Sequence, residues 1–325
     1  MADLIFKEVK IKDISIWDNF LNETENANIF SHSYFEKINI KDYKIKRYFI
    51  YDGKEIVASF KLNLKNKSIY NGNLLYSPIN YKNFKNQNKS KILQKKGAIL
   101  KKFIEIITKS FNKGNFYLDY NTSDIREFDW YNFDKKKKIF SFDEIKYTTI
   151  LDTSKLNHDY LNISKTIFFK DCSERTRRQI KKSLDQNYEF KEDLNFNDYE
   201  KIIKKTFKRQ KKKADFNIKQ NFKVFEKLHE KKLIRMYKTF KNNEIQALMV
   251  VAIINDNSIF INGGRISDRS DDLSFTFNLI NSFYKVKDLG VKKFDLEGIN
   301  SPKRGSYKTG FGGDIYPYYN IKFKK

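Results

Sequence analysis

The chain has 325 residues and is 40% hydrophobic, which is enough material for two ordinary domains with buried cores. Its 65 basic and 40 acidic residues give a formal net charge of +25. The abundance of Lys, Asn, Ile, Phe and Tyr indicates AT-rich coding as the main source of this charge, and because the acidic residues are spread among the basic ones, the charge favours anionic small substrates over nucleic acid as partners. A single cysteine excludes an internal disulfide framework, and three histidines without ligand spacing predict no metal. The absence of a long apolar window and of a signal sequence predicts a cytoplasmic protein without a membrane span.

Hydrophobic periodicity divides the first half of the chain into helices and strands. Asp52 and Gly53 form the turn of a predicted hairpin, and Gly114 is expected to end a long helix. The predicted helices cover residues 13–21, 33–38 and 90–112, and the predicted strands cover residues 44–51, 55–64, 69–76 and 115–120.

The second half has clearer patterns. Asp171 is predicted to cap a helix, because Glu174 follows it at the spacing of a capping box, and Gly290 has the position of a C-terminal cap. The predicted helices cover residues 171–186, 195–212, 221–232 and 271–288, and the predicted strands cover residues 233–240, 245–254, 259–262 and 291–297.

The same order of elements occurs in both halves: helices, an antiparallel set of strands, a long helix and a final strand. The segment 116–119, which ends in Asp119, also echoes the segment 294–297, which ends in Glu297. We therefore predict an α/β (α+β) fold made of two copies of one unit, each a mixed sheet flanked by helices. The predicted domains are residues 1–150 and 151–325, with the last residues packing back on the first domain.

The most informative segment lies near the C-terminus. Phe294 and Leu296 alternate with Asp295 and Glu297, as in a half-buried strand, and Gly298 follows. A second stretch, residues 305–313, combines Tyr-Lys with several glycines. Glycine allows close approach of the backbone to a bound group, so a strand that ends in a carboxylate before such a stretch predicts a cleft.

These residues resemble a known family. The element order is that of the GNAT acyltransferase fold, and a tandem pair resembles the Fem family, which comprises FemX-like peptidoglycan-bridge aminoacyltransferases and related sugar N-acyltransferases. The stretches that carry the resemblance are Trp17 with residues 30–33, Ser77-Pro78, residues 124–130 (including Trp130, expected in the core), 173–182, 206–210, 295–298, 307–313 and 317–319.

The resemblance implies an N-acyltransferase that moves an acyl group from acyl-CoA to the amine of a nucleotide-linked amino sugar, for surface polysaccharide synthesis. Two alternatives stay open: an aminoacyl-tRNA-dependent transferase acting on a peptidoglycan precursor, and a non-catalytic RNA-binding module. Glu297 stands where the bridge-forming enzymes usually have glycine, which favours a thioester donor. The Q/R-x-x-G-x-G/A loop that holds the pyrophosphate of coenzyme A is absent before the helix at 271–288, which argues in the other direction.

On the donor side, the resemblance implies three catalytic candidates. Glu297 would be the general base or an anchor for the amine, or else a structural carboxylate at a turn. Lys308 would stabilise the oxyanion or contact the phosphate of coenzyme A, together with Gly312. Tyr307 would stack or donate a hydrogen bond, or else belong to the core.

On the acceptor side, four residues are candidates for a phosphorylated substrate. Arg209 would contact its diphosphate, since a guanidinium fork suits phosphate oxygens. Lys37 would contact a phosphate, and Arg177 an anion. Asp119 would face the substrate as the counterpart of Glu297. The competing interpretations are an exposed base for Arg209, a surface position for Lys37, a helix cap for Arg177 and a capped strand end for Asp119.

Overall fold

The computed structural model describes residues 4–35, 44–71, 75–76, 79–84, 87–133, 135–214, 216–269 and 271–325. The chain separates into two compact units, one formed by Met1–Lys146 with Pro317–Lys325 and the other by Tyr147–Tyr316. It passes from the first unit to the second within strand β7 (Phe140–Asp152) and returns within strand β13 (Asp314–Lys324). No helix in the described ranges is long and apolar enough to cross a membrane.

The first unit is a mixed sheet covered by helices. Strand β3 pairs antiparallel with β2, β4 and β5, and β6 pairs parallel with β4 and antiparallel with the end of β13. Phe103 of the long helix packs edge-on against Phe60 of the sheet, with ring centroids 4.8 Å apart. The elements are β1 (Ile5–Glu8), α1 (Ile14–Asn22), β2 (Lys44–Asp52), β3 (Glu55–Lys65), β4 (Ser68–Ile69), β5 (Ile79–Tyr81), α2 (Lys89–Ser110), β6 (Lys113–Tyr117) and α3 (Arg126–Phe133).

The second unit repeats this plan. Its strands follow the order β7, β12, β11, β10, β9, β8, and β11 and β12 form the parallel pair. Phe283 of the long helix packs against Phe294 of β12, with centroids 4.8 Å apart. The elements are α4 (Ile167–Asp171), α5 (Glu174–Leu184), β8 (Glu189–Glu192), α6 (Phe196–Arg209), α7 (Ile218–Glu230), β9 (Ile234–Lys241), β10 (Glu244–Ile254), β11 (Asn257–Arg265), α8 (Ser274–Asp288), β12 (Lys293–Gly298) and α9 (Pro302–Thr309).

Each unit contains the same kind of crossover between two parallel strands. In the first, β4 leads through α2 to the parallel strand β6, and in the second, β11 leads through α8 to the parallel strand β12. Antiparallel strands precede the crossover in both. The predicted fold class, α/β with mixed β-sheet flanked by helices in each unit, is therefore the one observed.

Several predicted elements need correction. Asp171 ends α4 instead of capping a helix, and α5 is capped by Ser173, whose Oγ accepts the Thr176 N–H at 3.2 Å. The predicted strand at 69–76 ends at Ile69, and Trp130 is 56% exposed instead of belonging to the core. Residues 33–35 form a turn, and the rest of the predicted helix at 33–38 lies outside the described residues, as do Ser77-Pro78. The sequence patterns missed three helices and five strands: α3, α4, α9, β1, β5, β7, β8 and β13.

Candidate active site

Strands β11 and β12 separate from each other within the second unit. They pair in parallel only from Asn257 to Ile259 and from Lys293 to Asp295, as far as the described chain shows. Beyond this point β11 continues to Arg265, with Ile261 inserted as a bulge against β10, and β12 continues to Gly298. Beyond this point, the described parts of the two facing edges no longer pair with each other, so their backbone groups can hydrogen-bond a ligand.

A second bulge lies in β12, beside the opening. Asp295 pairs with Ile150 of β7 and Gly298 pairs with Thr148, so two residues of β12 oppose one residue of β7. Glu297 adopts φ +66°, a left-handed conformation that is unusual for a residue with a side chain. Bulges of this kind redirect a side chain and are common beside active sites, so the backbone here determines where the Glu297 carboxylate lies.

The buried Asp295 holds this bulge. Its Oδ1 accepts the Glu297 N–H at 2.7 Å and the Thr148 hydroxyl at 2.5 Å. Asp295 itself is only 3% exposed. The Glu297 N–H, which the bulge removes from the strand ladder, thus donates to a buried carboxyl oxygen, which offsets part of the cost of the left-handed backbone.

Lys308, on helix α9, forms an ion pair with Glu297. The distance from Lys308 Nζ to Glu297 Oε2 is 3.1 Å, and the same ammonium donates to the Gly298 carbonyl at 3.2 Å. The Lys308 side chain is 10% exposed and the Glu297 side chain 34%. Within the described residues the third N–H of Lys308 has no hydrogen-bond acceptor, and the ammonium lies 5.6 Å from the centroid of the Phe260 ring on β11. A buried cation with a spare donor is therefore held at the opening.

Aromatic rings line the site next to this pair. Tyr307 contacts Phe275 of α8, with centroids 6.3 Å apart, and Phe275 contacts Phe260 at 5.9 Å. The hydroxyls of Tyr307 and Thr276 share a hydrogen bond of 3.1 Å. Burial raises the pKa of Tyr307 to about 12, so this residue stays neutral and can act as a hydrogen-bonding group but not as a base.

Two arginines form the end of the site near the start of α8. Arg209 Nη1 donates to the carbonyls of Arg265 and Ser267 at 3.0 and 3.1 Å, and burial is the main cause that lowers the pKa of Arg209. Arg265 Nη1 donates to the Asp272 carbonyl at 2.5 Å. Arg209 Nη1 also lies 3.7 Å from Asp268 Oδ1, an exposed carboxylate. The Nε and Nη2 groups of Arg209 have no acceptor in the described part of the chain, so this guanidinium fixes the loop after β11 through Nη1.

The N-terminus of α8 does not suit the diphosphate of coenzyme A. Asp272 Oδ1 accepts the Ser274 N–H at 2.8 Å, and its Oδ2 lies 3.9 Å from Arg265 Nε. A carboxylate thus takes the place that an anionic ligand would need at this helix end. This arrangement agrees with the missing pyrophosphate loop in the sequence. Across the described ranges, no group of three His, Cys, Asp or Glu side chains is placed to hold a metal ion.

The structure brings together Glu297, Lys308 and Tyr307 and sets Arg209 at the end of the site near the start of α8, whereas the contacts of Gly312, Arg177 and Asp119 are those of structural residues. Gly312 has φ +73°, and a Cβ there would lie 2.5 Å from the Asp171 carbonyl oxygen, so packing against α4 already explains this glycine. Arg177 Nη1 donates to the Lys170 carbonyl at 3.2 Å, which ties α5 to α4. Lys37 lies outside the described residues.

Asp119 lies just after β6 in the first unit and is 1% exposed. Its carboxylate accepts the backbone N–H and the hydroxyl of Thr122 at 3.2 and 2.9 Å, and the side-chain amide of Asn26 at 3.2 Å. Burial raises its pKa to about 6 despite these bonds. These contacts are those of a buried turn cap at a strand end.

Sequence reasoning missed the residues that support the site. The sequence pattern placed Asp295 on one face of a strand and assigned it no role. An Asp side chain often accepts the backbone N–H two residues further along, so a contact with the Glu297 N–H could have been predicted. Asp272, with a Ser two residues on, has the spacing of an Asx turn at a helix start and could have been found. Thr148 gave no signal, because it meets Asp295 only through the pairing of β7 with β12.

Comparison with known proteins found structures with a similar fold and no match by sequence. No protein-family model matches the chain, and a search of curated proteins found no match. The structure of FemX is similar with a TM-score of 0.68 and 10% identity, covering 97% of this chain and 96% of that one. L-PGS from Bacillus licheniformis has a TM-score of 0.58, 12% identity and coverage of 98% and 93%. A tandem GNAT protein from the clavulanic acid biosynthesis pathway has a TM-score of 0.52, 9% identity and coverage of 98% of each chain.

The chain has the tandem GNAT fold. The identities are low, so the likeness establishes the fold and not the reaction. The fold-level resemblance to FemX-like proteins is confirmed.

Gly312→Ala should destabilise the protein more than Gly290→Ala. Both glycines have positive φ (+73° and +81°), so a methyl group costs each about 1–2 kcal/mol of backbone strain. At Gly290 the methyl meets nothing within 4 Å, whereas at Gly312 it overlaps the backbone of Asp171. Urea unfolding of the two variants measures the difference, and equal losses would contradict the packing role of Gly312.

Asp119→Asn should gain stability relative to the wild type as the pH rises from 4 to 7. The pKa of Asp119 is raised from 3.8 to about 6 by folding, so its contribution to stability is complete below pH 4 and is lost as the pH rises through 6. A pKa that folding raises by about two corresponds to a change of about 3 kcal/mol in the difference between the free energies of unfolding of the variant and the wild type. Denaturant unfolding at both pH values measures it, and a difference that does not change with pH would show that Asp119 ionises normally.

Proposed function

We propose that this protein is a cytosolic acyl- or aminoacyltransferase that forms an amide bond at the opening between β11 and β12. The observation that carries the proposal is the ion pair of Lys308 and Glu297, which a strand bulge and a short helix hold at this opening. The fold shared with FemX and L-PGS supports a group-transfer reaction. The spare N–H of Lys308 and the half-exposed carboxylate of Glu297 supply the two functions that amide formation needs.

The chemistry follows from these two groups. The amine nitrogen of the acceptor attacks the acyl carbonyl carbon, the new C–N bond forms, and the bond from that carbon to the leaving oxygen or sulfur breaks. Glu297 accepts the proton that the amine loses and can return it to the leaving group. Lys308 donates its spare N–H to the carbonyl oxygen as negative charge develops on it. Tyr307 and Phe260 exclude water from one side of the reacting atoms.

The donor that fits this site best is an aminoacyl ester such as aminoacyl-tRNA. Asp272 at the start of α8 opposes a diphosphate there, and an ester linked to a ribose places no charge at that point. Acyl-CoA is the second candidate donor, and the observation that favours it is the acidic residue at position 297, where glycine is usual in bridge-forming relatives. The positive φ of Glu297 explains why glycine suits this position.

The acceptor we propose is an amine on a nucleotide diphosphate, either a nucleotide-linked amino sugar for surface polysaccharide or a peptidoglycan precursor. Arg209 keeps Nε and Nη2 available, and these two nitrogens form the fork that binds phosphate oxygens in a bidentate way. Its side chain is 28% exposed, so a phosphate can reach it.

Glu297→Gln should abolish most of the transfer while the fold is kept. The amide has the shape of the carboxylate but accepts no proton, so kcat should fall by roughly 10²-fold or more. Transfer from aminoacyl-tRNA and from acyl-CoA to nucleotide-linked amines is measured by mass spectrometry of the acceptor. Glu244→Gln is the matched control, because Glu244 is exposed on the hairpin of the same unit and should leave the rate unchanged. Full activity of Glu297→Gln would remove Glu297 as the base.

Arg209→Lys should raise the KM for the phosphorylated acceptor about tenfold with little change in kcat, because lysine offers a point charge in place of a fork. The comparison variant is Arg178→Lys: this exposed arginine pairs with Glu174 on the surface of α5, and its replacement should not affect either constant. Steady-state kinetics with varied acceptor separates the two constants. A reduced kcat with unchanged KM would place Arg209 outside acceptor binding.

A further inference from the structure

A basic groove in the first unit has no part in the proposed reaction. It has a volume of about 890 Å³ and is formed by the end of α3, the segment 135–142 and the neighbouring ends of β6 and β13. Among its described lining residues Asp129 is the one carboxylate, against six lysines: Lys113, Lys135, Lys137, Lys138, Lys322 and Lys324.

The arrangement of the lysines in this groove lowers the stability of the fold. Lys113 and Lys324 are direct cross-strand partners in β6 and β13, and Lys322 lies two residues from Lys324 on the same strand face. Like charges directly opposite each other destabilise an antiparallel pair.

Most of these charges also lack a neutralising partner. Five of the six lysines form no ion pair within 4.0 Å in the described chain: Lys113, Lys135, Lys137, Lys138 and Lys324. Uncompensated positive charge gathered in a concave surface is the electrostatic pattern of a site for an extended anion.

Two large apolar side chains lie beside these charges. Phe133 lines the groove and is 83% exposed, and Trp130, one turn earlier on α3, is 56% exposed. Residues three apart on a helix lie on the same face, so both rings project into solvent from one side of α3. Lysines next to exposed aromatic rings are typical of surfaces that lie at a lipid headgroup layer.

Base stacking by a nucleic acid is less well served by Trp130 and by its neighbour on α3, Tyr131. The guanidinium of Arg126 lies 5.1 Å from the Trp130 centroid, and the ammonium of Lys135 lies 4.0 Å from the Tyr131 centroid. One face of each ring is thus covered by a cation. A single-strand platform needs open ring faces and, for bidentate phosphate contacts, arginine, whereas the cations that line this groove are all lysines.

We propose that this groove docks the protein on the anionic surface of a phospholipid bilayer. The lysines contact headgroup phosphates as point charges, and Phe133 and Trp130 enter the boundary between headgroups and acyl chains. This places the protein at a membrane surface without a spanning segment. The proposal rests on the first unit alone and does not depend on the proposed transferase reaction.

Co-sedimentation with lipid vesicles tests the proposal. The full chain should bind vesicles of phosphatidylcholine with about one-third phosphatidylglycerol and should not bind phosphatidylcholine alone. The triple variant Lys135→Gln, Lys137→Gln, Lys138→Gln should bind the anionic vesicles at least about tenfold more weakly. The matched control is Lys211→Gln, Lys212→Gln, Lys213→Gln, which removes the same charge from an exposed run of the second unit and should change the affinity less than about threefold.

Tryptophan fluorescence supplies an independent readout on the same samples. The chain has two tryptophans, and Trp17 is fully buried, so a blue shift on adding anionic vesicles reports Trp130. The shift should disappear in Trp130→Phe. Phe133→Ser should weaken vesicle binding, whereas Leu161→Ser, a change at a 92% exposed residue of the second unit, should not.

Three results would overturn the proposal. The first is equal weakening by the two triple variants, which would assign binding to the overall charge of the chain. The second is the absence of binding to anionic vesicles. The third is a groove variant that loses affinity for a single-stranded RNA oligomer and keeps its affinity for vesicles, which would identify the groove as a nucleic-acid surface.

Discussion

The candidate site depends on one constraint, the left-handed backbone at Glu297. A strand that continued regularly would point position 297 along the pleat and leave Lys308 buried without a carboxylate. The bulge redirects the Glu297 side chain to meet Lys308 at 3.1 Å, and Asp295 stabilises the bulge by accepting the freed N–H at 2.7 Å. The left-handed backbone of Glu297 and the largely buried ammonium of Lys308 both cost free energy, and these local contacts offset part of that cost. They hold a carboxylate and a hydrogen-bond donor at the point where β11 and β12 separate.

The two copies of the unit use the same strand end in different ways. In the second unit, the end of β12 carries the exposed part of the Glu297 carboxylate. In the first, Asp119 after β6 is buried, accepts three hydrogen bonds from Thr122 and Asn26, and has a pKa raised to about 6 by burial. Both units therefore carry an acidic residue near the end of the strand that follows the long helix, and in the first unit its contacts stabilise a turn. The expectation that Asp119 faces a substrate stays a prediction that these contacts do not favour.

Much of the fold could be predicted from local patterns, because helices such as α8 show their periodicity over many residues and strands such as β10 form long apolar runs bounded by turn residues. Helix α9 could not, since its glycine and lysine content suggests a turn, although Pro302 at its first position is a helix-start signal. The position of Glu297 at a strand end was predictable from alternation. Its positive φ was not, because the bulge arises from pairing with Thr148 and Ile150 of β7, far away in the sequence.

The most direct test of the proposed reaction centre is a crystal structure of the protein with a non-hydrolysable aminoacyl-adenosine analogue. We expect the analogue's carbonyl oxygen to lie within hydrogen-bond distance of Lys308 Nζ, between β11 and β12, with its amino-acid portion against Tyr307. An analogue bound in another part of the second unit, with the Lys308–Glu297 pair untouched, would contradict it.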